Sequence, residues 1–228
     1  MKKAFTMLEL IFVIVVAGIL AAMIIPSTRT NPLQEAAIQV LSHIRYTQHL
    51  AMVDDKYDAS NLDSAGDPKW YKERWQIIFS SNTNSGSEMG YTIFTDTSGD
   101  STGHPNEAEI ALNPSNSNQR MTGGYTGDIN LDIDNAAYVG VDKLNIGRKY
   151  SIDSVVFSNS CDGSNGASKR ISFDHLGRPL QGDISATNSA YESNYLITAS
   201  CVITLTHSSG DDLNITIEPE TGYAKIDF

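Results

Sequence analysis

The chain opens on an unbroken apolar run. From Phe5 to Ile25 only Thr6 and Glu9 are polar, and Ile11 to Ile25 carries no charged side chain. At about 1.5 Å per residue a helix of that length spans roughly 31 Å, the thickness of a bilayer's hydrocarbon core. The pattern therefore predicts a transmembrane segment over residues 5–25. Lys2 and Lys3 precede it, which by the positive-inside rule puts the N-terminus in the cytoplasm and the remainder outside. Pro26 to Pro32 then interrupts the run, because proline lacks a backbone donor and clashes with the preceding turn. Asn31 can cap a restart with Pro32 at the first helical position. Leu33, Ala37, Val40, Leu41, Ile44, Ala51 and Met52 recur at near-helical spacing. They predict an amphipathic helix over residues 32–53, with Gln34, Glu35, Gln39, Ser42 and Arg45 on its wetter face.

Residues 54–70 read as a polar linker. Beyond them short β-branched runs alternate with Gly, Asn, Ser and Asp clusters, which predicts a β-rich head over residues 71–228. The runs are 74–80, 89–95, 108–112, 137–141, 153–158, 170–174, 195–206, 213–218 and 222–228. Connections this short favour antiparallel pairing, and the last three runs read as a meander. The stretches 81–88, 113–128 and 158–169 read as surface loops. The expected fold class is α+β, a long N-terminal helix followed by an antiparallel β-rich globular head.

Composition narrows the chemistry. With 16 basic against 27 acidic residues in 228, the surface disfavours nonspecific nucleic-acid binding. Cys161 and Cys201 are the two cysteines. In an exported domain such a pair is most simply a disulfide, with two buried thiols as the alternative. Asp96, Asp100 and Glu107 lie in an oxygen-rich, glycine-containing stretch that could hold calcium, although it lacks the spacing of an EF-hand, and a solvated acidic loop is the plainer reading. Asn130, Asp132 and Asp134 suit the wet face of a strand. The five histidines, at 43, 49, 104, 175 and 207, form no catalytic spacing, and no nucleophile elbow, zinc-helix or phosphate-loop motif is present. The chain reads as a non-enzyme without a required cofactor. Glu9 is the anomaly, because a carboxylate inside an apolar span is expensive and its default reading is functional.

Ala4, Phe5, Thr6, Met7, Leu8 and Glu9, between the basic leader and the apolar run, resemble the N-terminus of type IV pilins and type II secretion pseudopilins. Gly18 and Pro26 also fall where that family tends to place a glycine and a proline. An ordinary signal peptide or a simple one-pass anchor would share the basic-then-apolar order, but neither accounts for Glu9. Three later fragments resemble the GspH/FimT branch of minor pseudopilins: Ile44 to Ala51, Trp75 to Phe79 with Tyr91 to Asp96, and Ile171 to Arg178 with the closing meander.

The resemblance implies a leader over residues 1–4, cleavage between Ala4 and Phe5 by prepilin peptidase, and N-methylation of Phe5. The family usually has Gly at the position of Ala4. The implied function is a minor pilin or pseudopilin, a structural subunit of a type II secretion pseudopilus or a type IV pilus. Its implied location is the inner membrane, single pass, with a periplasmic head, and then the filament. Its partners would be prepilin peptidase and other pilins, contacted through the N-terminal helix, with Glu9 meeting the Phe5 amine of a neighbour. The alternative is a DNA-capturing pilus subunit. Some relatives carry a basic Gly-Arg-x-Arg segment in the closing hairpin, where this chain has Gly222, Tyr223, Ala224 and Lys225.

Overall fold

Thr6 sets the start of the first element, because its hydroxyl and backbone bond to the residue three positions on and close a helical turn. The computed structural model describes residues 6–24, 31–62, 66–98, 103–163 and 169–227. It divides into two units, Met1–Asn31 and Pro32–Phe228. The first unit holds α1 (Met7–Ile24), 18 residues long, or about 27 Å of helix.

This corrects the N-terminal expectation. Thr6 serves as the cap instead of a helical residue, and Glu9 occupies the first turn of α1, while Phe5 and Ile25 lie outside the described residues. Among the described residues no helix is long and apolar enough to cross a membrane. The transmembrane helix over 5–25 is not found, and the pilin-type anchor and single-pass inner-membrane placement built on it are not supported. The long-helix α+β class gives way to a mostly β-sheet protein with three α-helices among the described residues.

The second unit begins with α2 (Pro32–Val53), whose stripe Leu33, Ala36, Ala37, Val40, Ile44, Thr47 and Ala51 is buried. Met52, expected on that stripe, is exposed. Next come β1 (Trp75–Ser81) and β2 (Met89–Thr95), a hairpin in register from Trp75 opposite Thr95 to Ser81 opposite Met89. Asn82 shapes the connection by accepting the Ser85 N–H at 3.1 Å. There follow β3 (Leu112–Asn113), β4 (Asn116–Arg120), α3 (Ile146–Tyr150), β5 (Ile152–Phe157), β6 (Arg170–Phe173), β7 (Pro179–Gln181), β8 (Cys201–His207), β9 (Asp212–Ile217) and β10 (Ala224–Asp227).

Two four-stranded antiparallel sheets result, in the orders β2-β1-β6-β7 and β10-β9-β8-β5. β8 shows the expected period of two, with Cys201, Ile203 and Leu205 buried and the residues between them partly exposed. β2 is buried at every position. Its outer side is covered by the bridges of Gly90 to Asn145, Thr92 to Thr122 and Phe94 to Ile110. The α2 stripe packs on strands of both sheets, joining Ile77, Ile171, Ile203, Ile215 and Ile217 in one core.

The run at 137–141 forms no strand. Val139 and Val141 donate singly to Asn130 and Thr122 instead of joining a ladder. The run at 108–112 is broken up: Ala108 and Glu109 end a 3₁₀ turn over Glu107–Glu109, Ile110 bridges to Phe94, and Leu112 opens β3. The expected loop at 113–128 contains β4.

Candidate functional site

On α1 the Thr6 N–H and hydroxyl approach Glu9 Oε2 at 3.4 and 3.3 Å, while the Glu9 N–H donates to Thr6 Oγ1 at 3.3 Å. This reciprocal pair is a capping box. It satisfies orphan N–H groups and sets a carboxylate against the positive end of the helix dipole. Glu9 therefore has a role within its own chain that the sequence reading did not assign. Beyond Glu9, α1 has no polar face. Met7, Leu8, Phe12 and Ile14 are 82, 81, 69 and 60 % exposed. The expected cleavage and methylation positions, Ala4 and Phe5, lie outside the described residues.

In the second unit, Cys161 and Cys201 form the expected disulfide, with Cα atoms 5.4 Å apart. Both residues are fully buried. The bridge joins the loop after β5 to the start of β8.

The calcium expectation finds no assembled ligand set. Among the described residues no three His, Cys, Asp or Glu side chains cluster for a metal. Asp100 lies outside the described residues, Asp96 is buried, and Glu107 accepts from Asn130 Nδ2 at 2.9 Å. The loop folds instead around Glu109, which accepts the backbone N–H of Ser98 at 2.6 Å and of Asn106 at 2.8 Å. Asp134 pairs with Arg148 at 2.9 Å, and Asn130 sits in a 3₁₀ turn instead of a strand.

The most connected polar group lies between α2 and the sheets, and sequence reasoning missed it. Tyr91 on β2 receives Gln39 Nε2 at 2.8 Å and meets His43 Nδ1 at 2.6 Å. Gln39 Oε1 in turn accepts the Tyr150 hydroxyl at 3.0 Å. Gln39, expected on the wetter face of the helix, and His43 are both drawn into this group. Their spacing of four residues, adjacent to the apolar stripe, was the available signal. Burial lowers the His43 pKa to about 4 and raises that of Tyr91. With Gln39 already donating to its oxygen, the tyrosine hydroxyl is free to donate to a neutral imidazole in the tautomer that leaves Nδ1 bare.

Two other histidines take part in local polar contacts. His104 meets the Tyr125 hydroxyl at 2.7 Å. In the β8–β9 turn, His207 Nδ1 accepts the Ser209 N–H at 3.0 Å while the Ser209 hydroxyl donates to Asp211 at 2.7 Å. The Ser209 hydroxyl also lies 2.8 Å from His207 Nδ1, so this exposed trio knits the turn together. In the closing hairpin Lys225 lies between Glu218 at 3.9 Å and Asp227 at 3.5 Å. Tyr223 stacks against Arg45, whose guanidinium donates to Ala224 O at 2.7 Å.

The chain matches no family model, no curated protein and no solved structure. The functional reading rests on the geometry and on the resemblance of short motifs.

Proposed function

We propose that the chain is a non-enzymatic structural subunit of a pseudopilin-like filament, held in the assembly by α1. The observation that carries this is the exposure, on every side, of residues 7–20 of α1. A helix apolar all round reaches a stable state only when its surface is covered, and contiguous apolar surface of this extent marks an interaction site. The partner that fits is a second helix of the same kind, from another copy or a related subunit. Ala17 and Gly18 allow close approach, and a Cβ at Gly18 would meet nothing within 4 Å in the isolated chain. The reading needs no membrane span.

The test is sedimentation of the full chain with and without a charge on α1. Wild type is expected to form large species. Phe12→Asp should sediment as a monomer, with the circular dichroism of the β-rich unit unchanged. An unaltered sedimentation profile for Phe12→Asp overturns the proposal.

A further inference from the structure

We propose that the outer edge of residues 196–198 receives an extended segment of a partner protein as an added strand. β7 is the last strand of its sheet. The Gln181 N–H donates to Tyr195 O at 2.8 Å, and the Ile197 N–H donates to Pro179 O at 3.3 Å. Between them Leu180 and Leu196 form an antiparallel bridge. In such a ladder the backbone groups alternate sides. Tyr195 and Ile197 turn toward β7, so the N–H and C=O of Leu196 turn away from it. No described residue hydrogen-bonds to either. Pro179 offers no N–H in return, which ends the pairing there and releases the chain toward β8.

Leu196, Ile197 and Thr198 border an open cleft of about 590 Å³, completed by Leu176, Arg178 and Pro179 and by Glu220 and Thr221. The two turns that close it are fixed to one another, because Gln48 Nε2 donates to Gly177 O at 2.8 Å and to Thr221 O at 2.9 Å. A preformed cleft beside an unpaired strand edge is the arrangement that strand addition uses: backbone bonds supply affinity, and alternate side chains supply specificity.

The lining defines the occupant. Leu176 is 59 % exposed and offers an apolar seat. The Arg178 guanidinium, paired with Asp174 at 2.7 Å, keeps a partly exposed face, and Glu220 is exposed on another border. The complementary segment is extended, with an apolar side chain over Leu176, a carboxylate toward Arg178 and a cation toward Glu220. A backbone with alternating groups is required, which a helix cannot present.

The probes are acetylated, amidated hexapeptides of alternating Val and Thr: one with Glu first and Lys last, one in the reverse order, and one uncharged. Binding to the full chain is measured by fluorescence anisotropy. One charged order should bind tighter than the other two by about fivefold or more, corresponding to about 1 kcal/mol. Backbone N-methylation scanned along that peptide should weaken binding about tenfold at alternate positions only, each lost hydrogen bond being worth about 1 kcal/mol. Leu176→Ser should weaken it further while the thermal transition is retained. Failure of all three peptides to bind, equal binding of all three, or an N-methyl effect without alternation overturns the proposal. None of these readouts depends on assembly through α1, so the two proposals fail separately.

Discussion

His43 Nδ1 and the Tyr91 hydroxyl lie 2.6 Å apart, and burial holds the imidazole pKa at about 4 against an ordinary 6.5. The folded chain therefore keeps His43 neutral where the unfolded chain protonates it. The associated loss of stability is absent above pH 6.5 and grows as pH falls toward 4. Across that window it is on the order of 3 kcal/mol. Protonation would also leave the tyrosine proton without its acceptor, since Gln39 already donates to the same oxygen. Urea unfolding of His43→Gln should show a flatter pH dependence than wild type between pH 6.5 and 4. Tyr91→Phe should cost about 1–3 kcal/mol, the desolvation of groups left unpaired. At Glu9 two roles separate cleanly. Gln serves in a capping box as well as Glu, so Glu9→Gln should preserve helix content by circular dichroism. If its charge engages a neighbour's terminal amine, the variant should sediment as smaller species than wild type. Wild-type sedimentation would leave Glu9 only the cap.

The end of α2 is fastened by one side chain acting on two turns. Gln48 bonds Gly177 O and Thr221 O. Gly222 has φ 62°, and a Cβ there would stand 2.3 Å from Gly177 O and 2.5 Å from Gln48 Nε2. Gly222→Ala combines left-handed strain with a backbone clash, so it should cost about 2 kcal/mol or more in urea unfolding. The elements that were legible in the sequence are those with a clear period. α2, β1, β2, β5, β6 and β9 lie where the runs placed them, within a residue or two, whereas β8 begins six residues into its run at 195–206. Runs failed where apolar residues serve loops, as at Val139 and Val141. Short elements without a period, β4, β7 and α3, were invisible. Of the candidate site, the cysteine pairing was legible from composition. The Tyr91 clamp was not, because its residues come from α2, β2 and α3, and only the fold brings them together.

The two four-stranded sheets of the β-rich unit share the α2 stripe as common core. The α2 stripe, the clamp and the Gln48 tie are cooperative features, whereas the disulfide is covalent and closes 40 residues. Replacing both cysteines with Ser should lower stability by roughly 4 kcal/mol, the loop-closure entropy returned to the unfolded chain; the shift in urea midpoint measures it. The bridge also has a mechanical consequence for a subunit that would bear tension in a filament. When Pro32–Phe228 is pulled at its ends, force can extend the backbone up to Cys161 and beyond Cys201, while the segment between them, a sequence separation of 40, stays out of the load path. At about 3.4 Å per residue, that shortens the fully stretched contour by roughly 130 Å. In a single-molecule stretching record the oxidised unit should reach its limit that much earlier than the reduced one. The loop containing β6 and β7 then remains shielded from tension however far the rest is drawn out.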